Sequence, residues 1–426
     1  METEHHRTKP ELLAPAGSLE KCRIALLYGA DAVYVGGKEH SLRNFARNLN
    51  SEELAEACHL AHSRGKRLYV TVNAFTKEPD LKTLPDYLQY LEDLRVDGII
   101  ISDPALLLLA KQWAPDIPLH LSTQTNTTNS LSVLFWQNQG IHRVNLAREL
   151  TFGELEEIRR VVGIEVEVFV HGAMCISYSG RCLLSAFLNN RSANRGLCTQ
   201  PCRWSYSLVE EKRPGEYFPI HEDTKGSYIL NSKDLCLLEH LGRLMSLGVH
   251  AFKIEGRMKG ALYLASVIRA YRQAIDRYWE APESYEVDWR WRQDLESVSH
   301  RPYTAGILFG YATNRDVCVE ESSGYLQTHT LAGIVRPAPE KRWETSLFPH
   351  PDRKGWTYIE VRSRLVRGMR LEFLGQDGST TIYVLEDFED LAGTLPPAAH
   401  PNTWIRINPA FQTFPNQVIR TPTHAA

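Results

Sequence analysis

A short joint recurs four times between residues 29 and 254 of this 426-residue chain. At each joint a helix-like segment ends in a glycine-bearing turn and runs directly into an apolar stretch. The four copies are Gly29-Ala-Asp-Ala-Val-Tyr-Val, Val96-Asp-Gly-Ile-Ile-Ile, Gly140-Ile-His-Arg-Val-Asn-Leu and Gly248-Val-His-Ala-Phe-Lys-Ile. Glycine relieves strain at a left-handed helix C-cap, and a β-branched run suits a strand buried in a parallel sheet. The joint therefore predicts alternating helices and strands.

Four further apolar runs, at 12–14, 68–73, 119–122 and 166–170, are each followed by a polar or glycine loop and a helical pattern. Ser18, Ser51, and Thr151 with Glu154 are predicted to cap helices. Eight strands with intervening helices favour an α/β fold of the (β/α)8 TIM-like barrel type over residues 10–285. An open doubly wound sheet is the alternative, because strand order cannot be read from the sequence.

Residues 171–236 interrupt the repeat as a cysteine-rich insertion after strand seven, with a predicted hairpin pairing 205–210 with 216–223. A connector at 286–326 follows the barrel. Short alternating strands such as 357–361, 370–373 and 381–385 then predict a small C-terminal antiparallel β-barrel domain at 327–422. Within it, four arginines could share one basic edge: Arg362, Arg364, Arg367 and Arg370.

Composition limits the class of protein. The chain is 43% hydrophobic and 23% charged, which is typical of an ordinary globular protein. Its start lacks an apolar leader, and no stretch approaches the roughly 20 apolar residues of a membrane span. We therefore expect a cytoplasmic protein without membrane contact. The net charge of −3 argues against a generally basic surface, so any RNA contact requires a local patch.

Five of the eight cysteines are crowded between residues 175 and 236 with the spacing C-x6-C-x15-C-x3-C-x33-C. Disulfides are not expected in a reducing compartment, so the crowding indicates metal or redox chemistry. Thiolates are the usual ligands of iron–sulfur clusters, which this spacing favours. Structural zinc usually uses paired short knuckles and remains an alternative, as do unliganded thiols. The isolated Cys22, Cys58 and Cys318 are predicted to be core residues.

Barrel enzymes carry their chemistry at the C-terminal ends of the strands, and polar residues follow most of the predicted strands. These residues are Asn73, Asp103, Gln124, Asn126, Arg148, Glu149, His171, Glu255, Arg257 and Lys259. From this set we predict His171, Glu255, Arg257 and Arg148 as catalytic. His171 also lies four residues before Cys175, so a thiol peptidase is an alternative. The chain contains no HExxH, GxSxG or P-loop motif.

One segment carries a specific resemblance. The run Glu167-Val-Phe-Val-His-Gly-Ala-Met-Cys175-Ile-Ser-Tyr-Ser-Gly180-Arg-Cys182 resembles the signature of the collagenase-like peptidases of unassigned catalytic type, peptidase family U32. Further matching segments are Glu11-Leu-Leu-Ala-Pro-Ala-Gly17, the stretch from Arg195 to Cys202, Asn231-Ser-Lys-Asp-Leu235 and Lys253-Ile-Glu-Gly-Arg-Met-Lys259. Despite the family's name, the resemblance implies an oxygen-independent hydroxylase acting on transfer RNA, on ribosomal RNA or in ubiquinone synthesis.

The resemblance also implies a cofactor. Relatives in the ubiquinone branch carry a [4Fe–4S] cluster, and their cysteines correspond here to Cys175, Cys182, Cys198 and Cys236, with Cys202 left in doubt. The segments Tyr303-Thr-Ala-Gly-Ile-Leu-Phe-Gly310 and Gly368-Met-Arg-Leu-Glu-Phe373 resemble the transfer RNA branch. That branch forms 5-hydroxyuridine at the wobble position of the anticodon loop.

The family reaction depends on prephenate, so the resemblance implies a pocket for a small dicarboxylate at the barrel mouth. Arg148, Arg257 and Lys259 are its predicted carboxylate partners, since an arginine fork binds carboxylates in bidentate fashion. Two other functions stay open at this point: a peptidase, and an RNA-binding accessory factor with a structural metal. Whether the chain works with a paralogue or as a homo-oligomer is also open.

Overall fold

The computed structural model of the chain describes residues 8–38, 41, 48–174, 182, 184–189, 191, 198–201, 208–209, 217–218, 222–223, 226–227, 233–310, 325–338 and 355–423. The predicted ligand Cys175 lies outside these residues, as do Cys202 and Cys318. The predicted ligands Cys182, Cys198 and Cys236 lie within them.

Seven parallel strands form most of a barrel wall. They are β1 (Glu11–Pro15), β2 (Ala32–Gly36), β3 (Arg67–Val72), β4 (Gly98–Ile101), β5 (Leu119–Leu121), β6 (Arg143–Asn145) and β7 (Glu165–Ala173). Each strand pairs in parallel with the next one along the chain. All seven coincide with predicted strands.

Helices connect these strands on the outside of the wall. They are α1 (Leu19–Leu27), α2 (Ser51–His62), α3 (Leu84–Leu94), α4 (Pro104–Trp113), α5 (Ser130–Asn138) and α6 (Phe152–Val161). Ser18 caps α1, and Thr151 forms a capping box with Glu154 at α6, as predicted. The cap predicted at Ser51 is wrong by one residue, because Asn50 accepts from the Glu53 amide and the Glu53 carboxylate accepts from the Asn50 amide.

The glycine joints differ in how they work. Gly29, Gly140 and Gly248 have φ values of +106°, +77° and +68°, so a side chain there would be strained. The joint before β4 differs, because Arg95 takes the left-handed conformation with φ of +55°. Gly98 is needed there for space, since a Cβ atom would lie 3.0 Å from the Tyr69 ring.

The insertion after β7 contains short elements. They are α7 (Leu184–Asn189), β8 (Leu208–Val209), β9 (Tyr217–Phe218), β10 (Glu222–Asp223), β11 (Gly226–Ser227), β12 (Asp234–Cys236) and α8 (Leu241–Ser246). The predicted hairpin is present as β8 paired with β9. Its second strand is shorter than predicted, because residues 222–223 pair forward with β11. β12 lies antiparallel to the end of β7.

β13 (Ala251–Ile254) pairs in parallel with both β7 and β1 and closes the barrel with its eighth strand. The (β/α)8 prediction is therefore confirmed, and the open-sheet alternative is excluded. The chain continues through α9 (Ala261–Glu280), α10 (Trp289–Glu296) and β14 (Tyr303–Thr304), which pairs with β12. No helix in the described ranges is long and apolar enough to cross a membrane, α9 included.

The C-terminal region is an antiparallel β domain, as predicted. Its strands are β15 (His329–Arg336), β16 (Thr357–Val361), β17 (Leu365–Val366), β18 (Arg370–Leu374), β19 (Thr380–Val384), β20 (Glu389–Asp390), β21 (Ala398–Ala399), β22 (Trp404–Ile407) and β23 (Val418–Pro422). Seven of them form one curled sheet in the order β19-β18-β23-β15-β16-β22-β20. Its core contains Leu371, Phe373, Ile405 and Ile419, all nearly inaccessible.

The β domain packs tightly against the barrel. The Tyr28 hydroxyl at the end of α1 donates to the Leu374 carbonyl and accepts from the Val418 amide. Arg420 of β23 donates to Asp294 of α10 at 2.9 Å, and both side chains are buried. The two parts therefore share an interface of buried hydrogen bonds and charges.

Candidate active site

The mouth of the barrel, at the C-terminal ends of its strands, is lined by amides and hydroxyls. Asn73 Nδ2 donates to Gln124 Oε1 at 2.8 Å, and Gln124 Nε2 donates back to the Asn73 carbonyl at 3.0 Å. Ser122 and Ser102 hydroxyls add bonds to Gln124 and to Asn73. These bonds fix the ends of β3, β4 and β5 relative to one another. They bring together two of the polar residues that the sequence singled out.

Glu255 stands directly after β13 and is held from three sides. The Tyr34 hydroxyl lies 3.1 Å from Glu255 Oε2 and 2.9 Å from the Ile254 carbonyl oxygen. The Tyr263 hydroxyl donates to the Glu255 carbonyl at 2.8 Å. Gly172 has φ of +112°, and a Cβ atom there would lie 2.5 Å from the same carbonyl oxygen. The predicted catalytic carboxylate therefore has a closely defined place at the mouth.

Arg257 is buried, with 4% of its surface exposed. Its Nη1 atom donates to Ser41 Oγ and to Thr71 Oγ1, each at 2.9 Å. Lys21 of α1 donates to the Arg257 backbone carbonyl. The guanidinium thus lies across the ends of β2 and β3 rather than on the surface of the mouth.

Arg148 lies three residues after the end of β6 and is partly exposed. Its guanidinium sits 4.0 Å from the centre of the Phe169 ring, and Nη1 donates to the Ala173 carbonyl at 2.9 Å. Its buried Nε atom has no hydrogen-bond partner among the residues that the structure describes. Burial raises the pKa of the adjacent Glu149, one of whose carboxylate oxygens is also buried without a partner. Arg148 therefore keeps hydrogen-bonding capacity for a ligand.

Lys259 is oriented away from Arg257. Its Nζ atom donates to the Ser299 carbonyl at 2.8 Å and lies 5.2 Å from the ring centres of Tyr263 and Tyr325. A backbone carbonyl and two aromatic faces surround this cation. The three predicted carboxylate partners, Arg148, Arg257 and Lys259, therefore lie in three different environments.

His171 is buried beside β12 and α9, with 1% of its surface exposed. Its ring lies 5.4 Å from the rings of both Tyr271 and Tyr303, and Nδ1 is 3.3 Å from the Tyr271 hydroxyl. Burial lowers the pKa of His171 to about 3, although the nearby Asp234 acts in the opposite direction. The imidazole is therefore neutral near pH 7, and its described contacts are internal.

Two other residues from the predicted mouth set have local structural roles. Asp103 caps α4 by accepting from the Ala105 amide, and it also accepts from Thr76. Asn126 adopts a left-handed conformation with φ of +52° at the end of a short 3₁₀ helix. Both positions follow from turn and cap chemistry.

The described cysteines fall into two groups. Cys22 and Cys58 are buried in the barrel core, as predicted, whereas Cys182, Cys198 and Cys236 are partly exposed. Exposure separates the two core cysteines from Cys182, Cys198 and Cys236, although burial still raises the pKa of the Cys236 thiol. The ligand set stays a prediction.

Cys236 ends β12, opposite His171 in the strand pairing, on the strand next to the one that leads into Cys175. Burial raises the pKa of its thiol, and the Tyr271 hydroxyl lies 3.7 Å from its sulfur. Within the described part of the chain, no group of three or more His, Cys, Asp or Glu side chains is arranged to hold a metal ion. The donor set nevertheless fits an iron–sulfur cluster in its chemistry, because it consists of thiols.

The opposite end of the barrel holds a charge cluster that the sequence did not predict. Arg143 of β6 is 2% exposed and pairs with Glu11 and Glu165 at 2.6 Å each. Lys253 pairs with Glu167 at 2.7 Å. The available signal was the alternation Glu165-Val-Glu167-Val in β7, which places both carboxylates on the inner face of the barrel. We call these five residues the floor cluster.

The predicted basic edge of the β domain is largely neutralised. Arg362 pairs with Glu20 and Glu360, and Arg367 pairs with Asp387. Arg370 pairs with Glu372 at 2.8 Å. Glu372 lies on the same strand as Arg370, whereas Glu20 comes from α1 and Asp387 from the connection after β19, which the strand pattern could not show.

A Cys–His–Asp arrangement occurs on the outer layer of the barrel. Cys58 Sγ lies 3.8 Å from the His62 ring nitrogens, and His62 Nε2 lies 2.9 Å from Asp97 Oδ2. Burial raises the pKa of Cys58 to about 11, and its thiol donates to the Leu94 carbonyl. A nucleophilic cysteine needs an accessible thiolate, so this trio is unsuited to peptide cleavage.

Comparison with known proteins assigns the family. Residues 17–317 match the model of peptidase family U32. The chain belongs to peptidase family U32. The matched segment begins two residues after β1, covers the other seven strands of the barrel and extends past β14.

Curated relatives of this U32 protein span nearly its whole length. It is 36% identical over 413 residues to the tRNA hydroxylation protein P1 of Bacillus subtilis, covering 97% of this chain and 94% of that protein. It is 42% identical to the tRNA hydroxylation protein P of Escherichia coli, covering 92% of this chain and 91% of that protein. A collagenase of Porphyromonas gingivalis is 32% identical over 70% of this chain and 73% of its own length.

A solved U32 peptidase structure covers 60% of this chain and 96% of its own, with 17% identity and a TM-score of 0.39. The fold assignment given above depends on the strand pairing of this chain itself.

Proposed function

We propose that this U32 protein is a transfer RNA hydroxylase that forms 5-hydroxyuridine at the wobble position, in a prephenate-dependent reaction without molecular oxygen. The single observation that carries the proposal is its similarity, over more than nine tenths of both chains, to relatives named tRNA hydroxylation proteins. The proposed substrate implies that the protein acts in the cytoplasm.

The proposed cofactor is a [4Fe–4S] cluster held by Cys175, Cys182, Cys198 and Cys236. Forming 5-hydroxyuridine places a hydroxyl on C5 of the base, and a cluster held by these thiols would supply electron transfer at the mouth. All four residues of this set carry thiols, the usual ligands of such a cluster, which supports the set. The Tyr271 hydroxyl donates to the Val170 carbonyl at 2.9 Å and lies 3.7 Å from Cys236 Sγ, so the ring packs beside that side chain.

Arg148 is the proposed partner of a prephenate carboxylate. Its guanidinium is oriented by Phe169 and by the Ala173 carbonyl, and its Nε atom has no partner among the described residues. A charge-assisted bond to a carboxylate would satisfy that donor. Glu255, which follows β13 beside the Tyr34 hydroxyl, is the proposed acid–base group.

The proposed RNA contact is the anticodon loop, whose unpaired bases can leave the stack and enter a protein pocket. Residues 175–207, which follow β7 at the mouth, contain four arginines and no aspartate or glutamate. This local excess of positive charge contrasts with the net charge of −3 for the whole chain. It supports phosphate binding by this segment rather than by the β domain, where Arg362, Arg367 and Arg370 form ion pairs.

Deleting the gene and analysing transfer RNA nucleosides by mass spectrometry tests the proposal. Loss of 5-hydroxyuridine derivatives, restored by the wild-type gene and not by Cys175→Ala, is expected. Cys22→Ala is the matched control, because this buried cysteine lies outside the predicted ligand set, and it should restore the modification. Unchanged nucleosides in the deletion strain, with no paralogue present, would contradict the proposal.

Peptide cleavage is the alternative function, because the family is named for peptidases. It requires a general base near neutral pKa beside an accessible thiolate, and His171 is buried with a pKa of about 3. Gelatin cleavage by the iron-loaded protein, abolished by Cys175→Ser without loss of iron, would favour the peptidase over the hydroxylase.

A further inference from the structure

The Nη1 atom of Arg257 and two side-chain hydroxyls form one hydrogen-bonded group. Nη1 of a guanidinium carries two hydrogens, and its two acceptors are Ser41 Oγ and Thr71 Oγ1. The Thr71 hydroxyl donates its own hydrogen to the Val35 carbonyl at 3.0 Å. The Ser41 hydroxyl, 3.0 Å from Thr71 Oγ1, is therefore the donor between the two hydroxyls. All three side chains are at most 4% exposed.

Gly36, at the end of β2, leaves the space that the Arg257 guanidinium occupies. A Cβ atom on Gly36 would lie 2.3 Å from Arg257 Nη1 and 2.5 Å from Ser41 Oγ. Neither distance is compatible with a real side chain, and Gly36 does not need glycine for a left-handed conformation. The end of β2 thus makes room specifically for the buried cation.

We infer that Arg257 is a positioning residue, which ties the connection after β13 to the ends of β2 and β3 through Thr71 and Ser41. Glu255 lies two residues before Arg257 on the same connection, so the tie helps to set the place of that carboxylate. Arg148, which is partly exposed, is then the arginine that meets the anionic ligand. The inference rests on the proposed function. It assigns different roles to Arg257 and Arg148, which were both predicted from the sequence to bind a carboxylate.

Steady-state kinetics of 5-hydroxyuridine formation by the cluster-loaded protein test this division. Thr71→Val, which keeps the shape and removes the hydroxyl, should lower kcat about tenfold to a hundredfold, because small displacements at a reacting centre are costly. The KM for prephenate should change by less than about twofold, because Thr71 does not bind prephenate itself in this proposal. Thr71→Ser restores the hydroxyl and should recover kcat. Arg257→Met combined with Thr71→Val should be no slower than Arg257→Met alone.

Two results would overturn the inference. One is a rise of about tenfold or more in the KM for prephenate in Arg257→Met with kcat unchanged, which marks direct ligand binding. The other is a Thr71→Val protein that matches the wild type.

Failure of the proposed function has a separate signature, which is a wild-type protein that forms no 5-hydroxyuridine with prephenate. In that case urea denaturation tests whether Arg257 and Thr71 stabilise the protein through the same contact. Equal midpoints for Arg257→Met and the double variant support it, and additive losses from the two single variants contradict it.

Discussion

The two ends of the barrel use charge in opposite ways. At the floor, Arg143 and Lys253 are buried and are matched by carboxylates from two strands, β1 and β7. At the mouth, hydroxyls and amides form the hydrogen-bond network. Both ends hold a buried polar atom without a hydrogen-bond partner among the described residues, Glu167 Oε2 at the floor and Arg148 Nε at the mouth. The kind of polar group, charged at the floor and mostly neutral at the mouth, therefore separates the two ends.

The largest expected effect comes from breaking the floor cluster. Arg143→Met removes one cation and leaves Glu11 and Glu165 without their main partner, which should cost about 3–5 kcal/mol of unfolding free energy. Urea denaturation followed by circular dichroism measures it. A loss under about 1 kcal/mol, the range of exposed ion pairs, would show that the cluster is no tighter than a surface pair.

Arg148→Met provides the matched change at the mouth, since Arg148 follows the strand that carries Arg143. We expect 5-hydroxyuridine formation to fall about tenfold to a hundredfold, the value of one lost charge-assisted hydrogen bond of about 1.5–3 kcal/mol. The denaturation midpoint should hardly move, because the lost bond is one contact to the Ala173 carbonyl. A large loss of stability with full activity in the remaining folded protein would reverse the roles of the two ends.

The floor cluster should also affect the stability of the protein at acidic pH. Burial works to raise the pKa of Glu165, but Arg143 outweighs it, and the pKa lies below its ordinary value. Such a group stabilises the fold above the unfolded pKa of about 4.3, and this contribution is lost as the pH falls through the lower folded value. Glu165→Gln should therefore flatten the decline of unfolding free energy below about pH 4.3. An unchanged acid slope would exclude Glu165 as a contributor.

The smallest expected effect concerns the start of α2, on the mouth side. Asn50→Ala should cost about 1 kcal/mol of unfolding free energy, because the capping box is lost. Ser51→Ala should cost less than about 0.5 kcal/mol, since the residue is exposed and is not the cap. Thermal unfolding of the two variants distinguishes the observed cap from the predicted one. Equal losses would restore Ser51 as the cap.

Much of the fold could be predicted from the sequence because the barrel repeats one local pattern. Most of its strands begin after a helix end that glycine or another left-handed residue terminates, as at Gly29 and Arg95. These are short-range effects, which a linear pattern records. The antiparallel β domain was predictable for the same reason, from its short alternating strands.

The interior of the site could not be predicted, because its contacts depend on strand register. Arg257 bonds to Thr71, which is 186 residues away, and to Ser41, which is 216 residues away. The sequence therefore grouped Arg257 with Arg148 and Lys259 as exposed cations. Likewise, Glu165 and Glu167 look like strand residues facing solvent until Arg143 and Lys253 are placed beside them.

The sealed floor has a kinetic consequence. Arg143, His120 and Tyr69 fill the lower interior and are each at most 3% exposed, so the proposed hydroxylase would take up substrates and release products through the mouth. In that enzyme a modified base would have to withdraw before the next could arrive, and a small acid bound beneath it would be trapped until then. Such an enzyme is expected to show competitive inhibition by modified transfer RNA, and an ordered sequence in which the small acid binds first.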